Sequence, residues 1–300
     1  MTTDAITTDA ITVIVPARNA SATVRGALVS ALRGLPEGSR ILVRDDGSTD
    51  GTGEQARLIR DPRIRVVEGD VSIGVAASLN QLLAEVQTPL VARMDADDLV
   101  LPGRWRAEAG ALASGSDIVF TPVLNWWSGT PLVKPQRPEA VDAAIAPLLL
   151  LVDNPFMHPT MLARTEVLRA LGGYRSVPSE DYDLWLRAAT QEFRLSRLRV
   201  PRLLYRRHAA QVTAQDSWRR SRAANPAVEE AFHALAETAL GFRPTWFAWR
   251  RDGFPSGSVP PGLHAELDAL AAAARRHRPT AARPVLRRIE QLRRHAGGMR

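Results

Sequence analysis

Three aspartates fall within four positions of this chain, in the run Arg93-Met94-Asp95-Ala96-Asp97-Asp98, directly after an apolar stretch at residues 90–94. Carboxylates this close repel one another, so a fold that gathers them must supply a cation or hydrogen-bond donors. Mg²⁺ is commonly held by one or two carboxylates together with substrate phosphates. Asp95 and Asp97, at the end of a strand, suit that chemistry, whereas Asp98 reads as the cap of a helix starting at Pro102.

Two further clusters carry carboxylates. Asp45-Asp46-Gly47-Ser48-Thr49-Asp50-Gly51-Thr52 is, taken alone, a turn followed by an N-capped helix. A carboxylate beside a ligand crevice also accepts the imide N–H of a uracil-type base, and the two readings stand level. In Ser179-Glu180-Asp181-Tyr182-Asp183 the acids open a helix. The helix dipole there favours the carboxylate anion, which is the state a general base needs, while Ser179 reads as the first residue of a capping box. His158 lies in an extended apolar segment, where a histidine is more often structural than a ligand. His208 follows Tyr205-Arg206-Arg207, and such a His/Arg cluster suits a diphosphate or a metal shell.

The elements around these residues predict how they meet. Residues 11–16, 41–44, 64–67 and 90–94 read as strands, and residues 21–35 and 75–86 as helices, an alternation that predicts βαβ units and a mostly parallel sheet. Polar clusters follow the first, second and last of these strands, and ligands of open parallel sheets bind outside the carboxyl ends of strands. The pattern loosens after Pro102: residues 117–124 read as a strand, 126–129 as a turn or hairpin, 156–162 as extended, 165–171 and 181–190 as helices. Residues 1–10 read as a disordered lead-in, 11–215 as the catalytic domain and 216–300 as a helical, basic extension.

Composition narrows the class. Forty-five per cent hydrophobic and 24% charged residues describe an ordinary globular protein, and the absence of cysteine excludes disulfides and thiolate chemistry. No run approaches the ~20 apolar residues that span a bilayer, and the acidic, polar start does not read as a secretory signal, so a cytoplasmic location is expected. The net charge of +7 is concentrated: residues 271–300 hold nine arginines and one glutamate. That placement argues against a nucleic-acid-binding body. In this tail Val285, Leu286, Ile289 and Leu292 share one side of a helix, with Arg287 and Arg294 opposite and Arg288 and Arg293 flanking. The stripe either packs on the protein itself or makes a peripheral contact with an anionic membrane or a second copy of the chain.

Val13-Ile14-Val15-Pro16 with Asn19, then DDGSTDGT, RMDADDLVLPGR, HPTMLARTEVLRALGGY, SEDYDLWLRA and YRRH, in that order, resemble the family-2 glycosyltransferases over residues 11–210. The resemblance implies an α/β GT-A fold, Rossmann-like, with a mostly parallel sheet flanked by helices, and transfer of a sugar from a nucleotide-sugar, a UDP-sugar favoured, to a hydroxyl acceptor with inversion. It implies that Pro16, Ala17, Asn19, Asp45, Asp46, Asn80, Arg93 and Asp95 bind the donor nucleotide, that His158 and Arg206 face the diphosphate, and that Asp97 and His208 hold Mg²⁺ or Mn²⁺. Asp181 is then the catalytic base. A nucleotidyltransferase would share the metal chemistry, but PARNASATV is not a Gly-rich phosphate loop. A nucleotide-sugar-binding protein without transfer would keep the aspartates yet need no base.

Overall fold

The computed structural model describes residues 9–137, 139–208, 225–251, 253 and 259–297. The boundary expected at residue 215, and most of the expected lead-in, lie outside them. The chain forms two compact units that interleave in sequence. The first comprises Met1–Ala140, Phe156–Ser176 and Ser196–Ala209, and the second Val141–Pro155, Val177–Leu195 and Ala210–Arg300.

The first unit is built on β1 (Ile11–Ala17), β2 (Arg40–Asp46), β3 (Ile64–Gly69) and β4 (Leu90–Arg93), which run parallel, with β1 between β2 and β4. The helices α1 (Val24–Leu32), α2 (Thr52–Arg57) and α3 (Val75–Glu85) make the connections. β1 is buried almost throughout, which is why it reads as a continuous apolar run instead of an alternating one. Val13 and Val15 pack with Ala27, Leu28 and Ala31 of α1 in the main core. The sheet continues through β9 (Leu162–Arg164), antiparallel to β4, then β6 (Ile118–Phe120) and β10 (Leu195–Arg197) at the far edge. The expected strand at 117–124 is thus two strands in two sheets. β6 joins the large one, while β7 (Val123–Trp127) joins β5 (Leu99–Val100), β8 (Val133–Pro135) and β11 (Leu203–Arg207) in a small second sheet.

Other sequence expectations change on folding. The turn or hairpin expected at 126–129 is a hairpin of β7 with antiparallel β8, in which Trp126 and Trp127 lie on the strand instead of in the turn. The segment expected to be extended at 156–162 contains a 3-10 turn at His158–Thr160. The helix expected from Pro102 is α4 (Arg104–Ala113), which starts after Gly103 without a side-chain cap.

The second unit is helical, with α5 (Ala146–Leu150), α7 (Glu180–Thr190) and the helices Pro226–Leu240, Trp246–Arg251, Leu263–Arg275 and Pro279–Ala296, whereas α6 (Thr165–Ala170) belongs to the first unit. Asn225 accepts the Ala227 N–H at 2.9 Å with Pro226 in the first turn, a cap that fixes where that helix begins. The Tyr182 hydroxyl donates to the Leu150 carbonyl at 2.6 Å and Trp246 Nε1 to the Leu151 carbonyl at 2.9 Å. In the last helix Val285, Ile289 and Leu292 are buried and Leu286 is half-buried, so most of the apolar stripe is consumed by the fold. Arg288 pairs with Asp153 at 2.5 Å and Arg293 with Asp268.

Gly172 and Gly173, expected to stop the helix before them, both adopt positive φ. At Gly173 a Cβ would also collide with Asn80 Oδ1, because Asn80 grips the next residue: its side chain accepts the Tyr174 N–H at 2.9 Å and donates to the Tyr174 carbonyl at 2.8 Å. Gly173→Ala is expected to lower stability by about 1–3 kcal/mol through backbone strain and displacement of Asn80. Urea unfolding of the variant at unchanged stability would contradict this account.

Candidate active site

β1, β2 and β4 are parallel neighbours, with Ala17 in register with Asp45 and Ile14 with Arg93. Their carboxyl ends therefore open on the same side, and the polar clusters predicted from the sequence come together there. Pro16 is half-buried, Ala17 is buried and Asn19 is exposed in a left-handed conformation with φ of 48°. Asn19 joins two of the strand ends. Its N–H donates to Ser48 Oγ at 3.0 Å and its Oδ1 accepts the Thr49 N–H at 3.1 Å.

The two aspartates that the sequence left unranked do different work. Asp45 shapes its own turn, accepting the Ser48 N–H at 3.1 Å and the Gly53 N–H at 2.8 Å. Asp46 organises a different loop: it accepts from Ser72 Oγ at 2.7 Å, from the Ile73 N–H at 2.8 Å and from the Gly74 N–H at 3.0 Å, with Arg44 Nε at 3.7 Å. Burial works against the Asp46 anion, but the hydrogen bonds from Ile73, Ser72, Gly74 and Ser78 together outweigh it and hold the carboxyl below its ordinary value. Gly47 lets the two loops touch, since it has φ of 68° and a Cβ there would lie 2.7 Å from the Ser72 nitrogen. Nothing in the local sequence marked the 72–74 loop or the Arg44–Ser78 contact, because the partners are 26 to 34 residues apart.

At the end of β4 Asp95 and Asp97 are joined by Asp98, each offering a carboxylate oxygen, all within 4.8 Å of one another. Each has its own compensating group. Arg93, buried, pairs with Asp95 at 2.6 Å. The Nε2 of His208 lies 3.0 Å from Asp97 Oδ2. The backbone N–H of Arg206 donates to Asp98 Oδ1 at 2.9 Å. Asp98 is fully buried and is not a helix cap: α4 begins six residues later, and burial with the charges of Asp95 and Asp97 pushes its carboxyl well above the usual range. Its Oδ2 is buried without a hydrogen-bond partner. Asp97 is raised for the same reasons, burial first and the Asp95 charge second. Crowded hard oxygen donors, one of them unsatisfied, fit a divalent cation such as Mg²⁺ or Mn²⁺.

Arg206 is more tightly committed than its motif suggests. Its Nε donates to the Asp97 carbonyl at 2.9 Å, its Nη1 reaches Ser128 Oγ at 3.4 Å, and its guanidinium lies 4.2 Å from the centre of the Trp126 ring. His158 is buried, with Nε2 3.0 Å from the Tyr174 hydroxyl. Burial, reinforced by the nearby Arg93 charge, holds its pKa well below the usual histidine value, so the ring is neutral. Asn80 does not reach it directly but fixes Tyr174, which does.

In the second unit Asp181 stands half-buried in the first turn of α7, and Asn154 Nδ2 donates to its Oδ2 at 3.3 Å. Ser179 adopts φ of 62° and makes no side-chain cap, so the capping box expected there does not form. Asp183 is fully buried and bound to Arg187 at 2.8 Å, which makes it part of the helix packing.

This geometry agrees with comparison to known proteins. Residues 12–172 match the family model described as glycosyl transferase family 2, and the chain belongs to that family of glycosyltransferases. The protein EpsE of Bacillus subtilis (strain 168) is 30% identical over 196 residues, which cover 61% of this chain and 68% of that one. The UDP-Glc:alpha-D-GlcNAc-diphosphoundecaprenol beta-1,3-glucosyltransferase WfaP of Escherichia coli is 24% identical over 204 residues, 68% of this chain and 80% of that one. Among solved structures, S. aureus TarS 1–349 in complex with UDP-GlcNAc superposes with a TM-score of 0.61 at 15% identity, covering 95% of this chain and 92% of that one. The fold is the expected GT-A fold.

Asp46→Asn is expected to cost about 1–3 kcal/mol at neutral pH, because its amide group would face three donors. A lowered carboxyl pKa stabilises the fold above the ordinary value of 3.8 and loses that contribution as pH falls through the lowered one. The gap between wild type and variant, read by urea unfolding, should therefore close as the pH drops below about 4. A gap independent of pH would show that the Asp46 charge does not hold the loop.

Proposed function

We propose that this protein transfers a hexose from a nucleotide-diphosphate sugar, a UDP-sugar in preference, to a hydroxyl acceptor with inversion at the anomeric carbon. The observation that carries this reading is the three-carboxylate group at the end of β4, beside the Asn19 and Asp46 loops on neighbouring strands. UDP is favoured because both WfaP and the TarS complex name a UDP-sugar. WfaP's acceptor, a sugar on a diphosphate lipid, supports glycan or cell-envelope synthesis as the setting.

In this reading Pro16, Ala17, Asn19, Asp45, Asp46, Asn80, Arg93 and Asp95 form the donor nucleotide side. Asp45, Asp46, Asn80 and Arg93 act there largely by holding loops and partner residues in place. His158, as a neutral donor, and Arg206 serve the diphosphate side. Asp97 and His208 would hold Mg²⁺ or Mn²⁺, which would neutralise charge on the departing diphosphate. Asp181 accepts the acceptor's hydroxyl proton while that oxygen attacks the anomeric carbon from the face opposite the nucleotide. The new C–O bond forms as the bond to the diphosphate breaks, so no covalent enzyme intermediate is needed and the configuration inverts.

Residues 11–215 are read as the glycosyltransferase domain and 216–300 as a helical extension. No helix among the described residues is long and apolar enough to cross a membrane. A cytoplasmic enzyme remains our reading, with peripheral contact at the inner membrane face as its alternative setting. Because Val285, Ile289 and Leu292 are buried, peripheral attachment or self-association through the last helix would rest on its arginines instead of an inserted stripe.

Asp97→Ala should abolish metal-dependent donor binding while the fold survives, measured by thermal shift with UDP, GDP and dTDP and their sugars with and without Mn²⁺. Metal-independent nucleotide binding by the wild type would overturn the metal assignment. Asp181→Asn should leave donor binding intact and slow transfer about 10²–10⁴-fold, the usual worth of a positioned base. Near wild-type turnover would place the base elsewhere, with Glu180 the first residue to test.

A further inference from the structure

Arg104 and Glu108, one turn apart on α4, both have fully buried side chains. Arg104 Nε lies 3.1 Å from each oxygen of the Glu108 carboxylate. Its Nη2 donates to the Arg93 carbonyl at 3.0 Å and reaches the Met161 carbonyl at 3.4 Å. Those two carbonyls mark one place in the sheet. The Arg93 N–H donates to the same Met161 carbonyl at 3.0 Å, at the point where β4 gives way to the acidic turn and the chain that carries His158 enters β9. The Arg93 side chain then grips Asp95 at 2.6 Å. A connected series therefore runs from Glu108 through Arg104 and the Arg93 backbone to the first of the three aspartates.

Stability does not account for this arrangement. Removing two charges from water is expensive, and a well-packed apolar pair commonly serves a core as well or better. Arg104 Nη1 is moreover buried without a hydrogen-bond partner. What an apolar pair cannot do is hold two backbone carbonyls at the root of the acidic turn. We propose that Arg104, oriented by Glu108, is a positioning residue that fixes the end of β4 and thereby sets the metal affinity of Asp95, Asp97 and Asp98. The proposal rests on the reading of those aspartates as the metal site.

The test substitutes the pair by apolar residues of similar size, Arg104→Met with Glu108→Leu, in the full chain. Mn²⁺ binding in the presence of UDP is read by electron paramagnetic resonance of the free ion, beside thermal melting. The expected result is a melting temperature equal to or above wild type with Mn²⁺ affinity weakened about 10–100-fold, the effect typical of residues that orient metal ligands. Wild-type affinity in the folded double variant overturns the proposal, since a merely structural pair would leave Mn²⁺ binding unmoved. Asp97→Ala, measured alongside, separates the two ideas. Loss of Mn²⁺ there with none in the double variant sinks this proposal alone, whereas undiminished Mn²⁺ binding by Asp97→Ala sinks the metal reading and this proposal with it. If the double variant fails to fold, Arg104→Lys carries the test. Its ammonium keeps the charge opposite Glu108 but lacks the fork that reaches carboxylate and carbonyls together, so weakened Mn²⁺ binding is again expected and wild-type affinity again overturns the proposal.

Discussion

Three carboxylates cannot share one turn unless something answers their charge, and much of the first unit is arranged to do so. Arg93 answers Asp95, His208 answers Asp97 and the Arg206 backbone answers Asp98. The last two come from β11 and the residue after it, more than a hundred positions along the chain. Pairing of β11 with β5 and β7 thus brings the compensation to the acids. The compensation is incomplete. Asp97 and Asp98 remain raised, and one Asp98 oxygen stays unsatisfied in the interior. That residual deficit is the physical reason a divalent cation suits the site.

The neighbouring strand ends use carboxylates in another way. Asp45 and Asp46 are adjacent in sequence, yet one closes its own turn and the other ties down a loop from beyond β3. Alternation along a strand sends successive side chains to opposite faces, so neighbours in the chain address different partners. Glycine permits both. Gly53 and Gly47 lie where a Cβ would meet Asp45 or the Ser72 backbone at 2.7 Å. The loops at the crevice are consequently tied by hydrogen bonds to buried acids.

The second unit answers charges from within itself, once inside a single helix turn and twice across long stretches of chain. Asp183 is neutralised within α7 by Arg187, Asp153 by Arg288 and Asp268 by Arg293. The arginine-rich end of the chain is therefore partly spent on structure. Asp181, two residues before Asp183, is only half-buried and accepts a hydrogen bond from a neutral amide. Both acids lie in the first turn of α7, where the dipole supports negative charge, but Asp183 faces inward and Asp181 stays half-buried.

The sequence by itself determined the parallel β1–β4 frame, the clustering of Asp95, Asp97 and Asp98 at a strand end, and the apolar stripe of Val285, Ile289 and Leu292, whose burial the structure decided. These follow from local periodicity and from like charges adjacent in the chain. It misjudged features that depend on what a residue meets across space. Asp98 resembled a helix cap because the acid precedes a helix, but β11 draws it into the interior. Ser179 resembled a cap because serine usually is one there, yet its left-handed backbone turns the hydroxyl from that use. Residues 117–124 resembled one strand because apolar content says nothing of which sheet a segment joins. The division of labour between Asp45 and Asp46, the grip of Asn80 on Tyr174 and the buried Arg104–Glu108 pair were decided by the tertiary structure alone. Their partners are fixed by sheet register and helix packing, which bring together backbone groups that carry no mark in the sequence.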